Sequence, residues 1–206
     1  MTGIRRSGKS VMLELIKEEL AEAGVAPSQM ISINFEDMRY SHLQTATALH
    51  DEIIKRAEGI EGKAYLFFDE IQEVEGWEKC VNSLRVALDC DIYITGSNAK
   101  LLSGELATYI GGRYVEFVIY PFSFAEFLEL YHTIAPSDSI QQCFQKYLLA
   151  GGMPYLANLR YEEEPSRQYL TDLFNSVQLK DIVKRNKIRD IDLLERIIAY
   201  MTANVG

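Results

Sequence analysis

The chain has 206 residues, 48% hydrophobic and 25% charged, with a formal net charge of −9, a balance that fits one large globular domain or a domain with an appendage and argues against a broad nucleic-acid surface. No apolar run reaches the roughly 18 residues of a membrane span. The three cysteines, Cys80, Cys90 and Cys143, are too few and too widely spaced for a disulfide framework or a metal site, so reduced core thiols in a cytoplasmic protein are expected.

In chain order, the first informative stretch is Gly3-Ile4-Arg5-Arg6-Ser7-Gly8-Lys9-Ser10. It matches G-x-x-x-x-G-K-[ST], a loop whose glycines let successive backbone N–H groups turn toward phosphate oxygens. Gly3, Arg5, Arg6, Ser7, Gly8, Lys9 and Ser10 are therefore the candidate nucleotide-binding residues. Lys9 would reach the β- and γ-phosphates of a nucleoside triphosphate, and the Ser10 hydroxyl would ligate Mg²⁺. The plain alternative is a Gly- and Lys-containing surface turn, but the amphipathic run Val11 to Ala23, stopped by Gly24, supplies the helix the motif requires. Only Met1 and Thr2 precede the loop, where a buried strand is needed, so the sequence reads as a fragment of a longer reading frame.

Gln29 to Phe35 alternates with period two and is expected to be a strand. It ends in Glu36-Asp37, which either stand at the rim of the site or are solvated loop residues. A helix is expected over Ser41 to Ala57, burying Leu43, Ala46, Leu49, Ile53 and Ala57. Ala64-Tyr65-Leu66-Phe67-Phe68-Asp69-Glu70 is an uninterrupted apolar run ending in two acids, the pattern of a parallel-sheet strand buried on both faces. Acids at that carboxyl end sit where open α/β sheets place ligands. Asp69 would hold Mg²⁺ through water and Glu70 would orient or deprotonate the attacking water.

A helix follows from about Gly76 to Asp89, with Trp77 read as core. Asp91 to Asn98 is expected to be a third strand ending in a γ-phosphate sensor at Ser97 or Asn98; the alternative is an N-cap for a helix over Ala99 to Ile110. Arg113, after Gly111-Gly112, is a candidate for stabilising charge on the transferring phosphoryl group, weighed evenly against an ordinary surface arginine. A strand over Tyr114 to Tyr120 closes the sheet at Pro121. Beyond it the periodicity is helical: Phe124 to Leu130 behind the capping box Ser123-Phe124-Ala125-Glu126, then Ser139 to Ala150, Pro165 to Lys184 and Asp190 to Asn204. Gly151-Gly152-Met153-Pro154 is a tight bend or hinge. The basic residues Lys180, Lys184, Arg185, Lys187 and Arg189 either meet DNA phosphates or form a solvated face, since Asp181 and Asp190 interleave them.

The motifs T-G-I-R-R-S-G-K-S, L-F-F-D-E-I-Q, W-E-K-x-x-N-S-L-R, I-T-G-S-N-A-K-L-L-S, G-G-R-Y-V-E-F, P-F-S-F-A-E-F and G-G-M-P together resemble a group of prokaryotic AAA-type ATPases. The resemblance covers nearly the whole chain. It implies an α/β P-loop fold, a three-layer parallel sheet over residues 1–121, followed by an all-helical region over 122–206 that begins a winged-helix-like part. It also implies ATP and Mg²⁺ at Gly3 to Ser10 and Asp69-Glu70, a sensor at Ser97-Asn98 and a conformationally important Arg113. Two functional readings follow. One is an ATPase whose turnover moves the helical region; the other is a nucleotide-gated switch that contacts DNA or protein with little hydrolysis. An oligomer is compatible with either.

Overall fold

The computed structural model describes residues 1–96, 113–177, 183 and 188–204. The chain divides into two compact units, Met1–Ala125 with Gly152–Pro154, and Glu126–Gly151 with Tyr155–Gly206.

In the first unit, α1 (Lys9–Glu22) is followed by β1 (Met30–Asn34), α2 (Ala46–Ala57), β2 (Ala64–Asp69), α3 (Trp77–Ala87) and β3 (Cys90–Ile94). The three strands form one parallel sheet in the order β1-β2-β3. Parallel pairing requires a crossover between consecutive strands, which α2 and α3 supply. The register sets Ile31 beside Leu66 and Ile33 beside Phe68, with Ile92 and Ile94 next in the rows. These side chains share one face and pack with Leu49 and Ile53 of α2 and with Cys80, Val81 and Leu84 of α3 in the main core. Trp77 joins that core, as expected.

The alternate residues Ser32, Phe67 and Tyr93 face the other way. Phe67 and Tyr93 stack at 4.9 Å between ring centroids. Lys17 of α1 lies over the Phe67 ring at 5.4 Å and donates to Ser32 Oγ at 3.0 Å. Helix α1 thus covers the second face, which completes the expected three layers around a parallel sheet.

Among the described residues the sheet continues beyond β3 for two residues, Met1 and Thr2. The Met1 nitrogen donates to Ile94 O at 2.6 Å, and Gly96 N–H donates to Met1 O at 3.3 Å. On its other side Thr2 N–H donates to Phe117 O and Ile119 N–H donates to Thr2 O, a parallel bridge to Val118. The strand expected over Tyr114 to Tyr120 is therefore reduced to a bridge at Val118. Its neighbour offers two residues, and a ladder cannot outlast its partner.

Helix α2 starts later than the periodicity suggests, because Ala46 N–H bonds to Glu75 O and Thr45 Oγ1 caps Ala48 N–H at 3.3 Å. The Gly151–Pro154 stretch is a close backbone approach. Phe122 N–H donates to Gly152 O at 2.7 Å, and a Cβ on Gly152 would fall inside 3.0 Å of the Phe122 backbone. Only glycine fits there.

Helix α4 (Phe124–Ile134) opens in the first unit and continues in the second, where α5 (Ile140–Ala150), α6 (Glu163–Val177) and α7 (Ile191–Ala203) follow. The all-helical character expected after Pro121 holds among the described residues. Ser139 and Gln142 form a reciprocal capping box for α5, and Asp190 caps α7 through Leu193 N–H. The core of this unit is aromatic: Phe127 stacks on Tyr131 at 5.1 Å and meets Tyr161 edge-on at 5.0 Å, with Tyr147 at 5.2 Å. Among the described residues, no helix is long and apolar enough to cross a membrane.

Candidate nucleotide-binding site

The loop Gly3–Ser10 leaves Thr2 and turns directly into α1. Gly3, Arg6 and Gly8 have φ of 146°, 61° and 105°, and such alternation is what turns consecutive N–H groups toward one centre. A Cβ on Gly3 would fall inside 3.0 Å of Ile119 O, so the loop can start against the Thr2–Val118 bridge only with glycine. Gly8 is the N-cap of α1 and carries no side-chain acceptor, which leaves the helix's first N–H groups to an anion.

Lys9 is 5% exposed and its ammonium donates to Gly3 O at 3.2 Å and Ile4 O at 2.9 Å. It closes the loop into a ring and points toward the loop rather than solvent. Ser7 Oγ is buried inside the same ring with no hydrogen-bond partner. An orphaned hydroxyl in a ring of N–H groups and one ammonium fits a phosphate. Arg5 reaches across to Glu36 at 3.8 Å, so Glu36 does stand at the rim. Asp37 instead caps a short turn and pairs with Arg39, which holds its carboxyl below the usual carboxylate range.

The acids stand at the carboxyl end of the sheet. Asp69 closes β2, is 7% exposed and pairs in register with Asn34. It lies on the Ser32–Phe67–Tyr93 side, the face α1 covers. Asn34 Nδ2 donates to Asp69 Oδ2 at 3.1 Å, and the Thr95 hydroxyl donates to Asp69 Oδ1. Glu70 follows with φ 56°, a left-handed conformation costing a non-glycine residue about 1–3 kcal/mol. Its N–H donates to Thr95 Oγ1 at 3.1 Å, and Gln72 Nε2 donates to its carboxylate. Both carboxylates are thus oriented from neighbouring elements.

Asn34, Gln72 and Thr95 were not among the expected site residues. Thr95 and Gln72 lie within the motifs I-T-G-S-N and L-F-F-D-E-I-Q. Period-two counting from Ser32 and Tyr93 places Asn34 and Thr95 on the Asp69 face, the signal that would have found them.

Ser10 is exposed in the first turn of α1. Among the described residues, no group of three or more His, Cys, Asp and Glu side chains forms a metal cage. A hydroxyl and a carboxylate are oxygen donors of the kind Mg²⁺ takes beside nucleotide phosphates. Ser97, Asn98 and Gly111-Gly112 lie outside the described residues, as do Lys180, Asp181, Lys184, Arg185 and Lys187. Arg113 is exposed and lines a cavity of about 680 Å³ with Arg85, Cys90 and Asp91, at the start of β3. The structure does not bring it to Asp69 and Glu70, which stand at the other end of the strands.

A phosphate-type loop running into a helix, beside a parallel strand ending in Asp-Glu, defines a P-loop nucleotide-binding protein. Residues 1–128 match the family described as an AAA domain, and residues 141–206 match a domain of unknown function. The first match spans more than half of the chain, which therefore belongs to the AAA domain family. An uncharacterized protein of Haemophilus influenzae is 40% identical over the whole chain and 51% of its own length. An uncharacterized protein of Methanocaldococcus jannaschii is 33% identical over 98% of this chain and 46% of its own length. The chain spans about half the length of these curated relatives. Among solved structures it is similar to the Aeropyrum pernix ORC1 protein in complex with DNA, with a TM-score of 0.45 and 14% identity, over 89% of this chain and 61% of that one.

Proposed function

We propose that this chain binds ATP with Mg²⁺ and hydrolyses it, and that turnover moves the helical unit. The observation that supports this reading best is the pair Asp69-Glu70 at the carboxyl end of β2, each carboxylate held by its own donors. Gly3 to Ser10 would hold the phosphates, with Lys9 exchanging its bonds to Gly3 O and Ile4 O for phosphate oxygens. Ser10 and Asp69 would hold the cation, which supplies charge neutralisation at the β- and γ-oxygens. Glu70 would accept the proton of the attacking water. The residues expected at Ser97-Asn98 remain part of this proposal as γ-phosphate sensors. The helical unit is where a DNA or protein partner would be engaged, and the cytoplasm is the compartment the reading requires.

The test is calorimetric ATP binding and phosphate release on three chains. Glu70→Gln is expected to keep affinity within about threefold and to lose roughly 10²-fold or more in rate. Lys9→Ala is expected to lose both. Hydrolysis by Glu70→Gln at the parent rate would remove Glu70 from the mechanism and favour the nucleotide-gated switch. Arg113→Ala belongs in the same series. A rate loss that depends on protein concentration assigns Arg113 to the site of a second copy, and an unchanged rate makes it a surface residue.

A further inference from the structure

We propose that Thr95 is the positioning residue that sets Asp69 and Glu70 as one unit, through a single hydroxyl that bridges them. This inference rests on the ATPase reading and deepens it. Thr95 is 0% exposed and follows the last residue of β3. A hydroxyl has one proton to give and lone pairs to accept with. Here the proton goes to Asp69 Oδ1, and the oxygen accepts the Glu70 N–H at 3.1 Å. The same residue's backbone completes the tie: Thr95 N–H donates to Phe68 O at 2.9 Å, and Ile71 N–H donates to Thr95 O at 3.2 Å. Four bonds from one residue thus enclose the turn Phe68-Asp69-Glu70-Ile71.

The geometry of Glu70 explains why the turn needs this. A glutamate at φ 56° leaves that conformation unless its surroundings over-determine it. The Thr95 hydroxyl and carbonyl fix the N–H groups on either side of the Glu70 Cα, which fixes the direction of its side chain. Gln72 then holds the carboxylate. On Asp69 the hydroxyl and Asn34 take one oxygen each from opposite neighbouring strands, which fixes the rotation of the carboxylate and leaves a further lone pair on each oxygen. Thr95 touches neither ATP nor water in this account. It acts through the two acids, and it makes their orientations interdependent.

The test compares Thr95→Val, which keeps shape and burial but has no hydroxyl, with Thr95→Ser, which restores the hydroxyl alone. Thr95→Val is expected to fold, to bind ATP within about threefold of the parent, to lose about 10–100-fold in kcat, and to need several-fold more Mg²⁺ for half-maximal rate. Amide hydrogen exchange at Glu70 is expected to accelerate by more than tenfold in the same variant, with or without nucleotide. Thr95→Ser is expected to recover kcat, Mg²⁺ dependence and exchange protection. A purely structural role would lower the melting temperature of both variants without moving the Mg²⁺ midpoint. A parent-like Glu70 exchange rate and Mg²⁺ midpoint in Thr95→Val would overturn the proposal. A parent chain that binds but never hydrolyses ATP would instead defeat the ATPase reading, and the exchange comparison would still decide for or against Thr95.

Discussion

At the scale of single residues, burial without a partner is what distinguishes the atoms of this chain. Ser7 Oγ waits inside the loop, whereas the Lys9 ammonium has turned onto the loop's own carbonyls. Cys80 shows the opposite outcome. It sits in the main core, where burial and then the Asp51 charge push its thiol up from 9.0 to about 12. Between those values the folded chain keeps a proton that the unfolded chain releases, so the folded state binds more protons and stability falls as pH rises. The contribution is whole below pH 9 and is lost progressively toward pH 12. Urea midpoints at pH 8 and pH 10.5 are expected to show this decline, and Cys80→Ala is expected to make it shallower. At pH 8 the native thiol is expected to resist iodoacetamide and to react once urea unfolds the chain. Equal slopes for the parent and Cys80→Ala would show that the thiol has no share in the alkaline loss.

At the scale of elements, legibility followed the range of the interactions that shape each one. Strand β2 could be read because five apolar residues in a row, Ala64 to Phe68, admit a buried strand and little else, and its parallel neighbours followed from the helices between them. The amino end of α2 could not, since it is set by the pairing of Thr45 with Glu75 thirty residues later. Tyr114 to Tyr120 carries a strand's pattern but, among the described residues, pairs only with Thr2. Asn34 and Thr95 became site residues only through cross-strand register, a property of the sheet and of no single segment. In the helical unit, periodicity marked α4 as amphipathic yet said nothing of Tyr161, which lies in a turn with φ 54° and still packs edge-on against Phe127. Its hydroxyl is buried without a partner, and such a group costs about 1–3 kcal/mol. Tyr161→Phe keeps the ring contacts and removes that cost. The variant is expected to raise the unfolding free energy by roughly 0.5–2 kcal/mol, measured by urea denaturation. A loss of stability would mean that the hydroxyl has an ordered water as its partner.

For the molecule as a whole, the governing feature among the described residues is the cavity that opens in the sheet beside β3. The β2 register sends the N–H and C=O groups of Asp89, Asp91, Tyr93 and Thr95 toward β2, as the bonds Ala64 N–H to Asp89 O and Thr95 N–H to Phe68 O require. Those of Cys90 and Ile92 therefore point the other way, into the cavity of about 680 Å³ whose far wall is Tyr114, Val115 and Phe117. All five β3 residues are only half-buried, and Val115 is 75% exposed, although Cys90, Ile92, Ile94, Val115 and Phe117 give the cavity a mainly apolar lining. At Met1 the gap is already bridged, because the nitrogen there takes the place of a ladder amide on Ile94 O. The opening spans the five residues of β3, about the length of one ordinary strand. Filling it would fix where Gly3 begins, so the loop's N–H groups would converge without an ordering cost at each binding event. A chain extended ahead of Met1 by about six to ten β-forming apolar residues is therefore expected to bind ATP more tightly than the 206-residue chain, and to protect the Cys90 and Ile92 amides from hydrogen exchange. An extension of equal length in Gly and Ser, which has no side chains to bury between those walls, is expected to do neither. Calorimetry on the three chains decides it: equal affinities would mean that the two bonds of Thr2 to Phe117 and Ile119 already hold the loop as firmly as a full strand would.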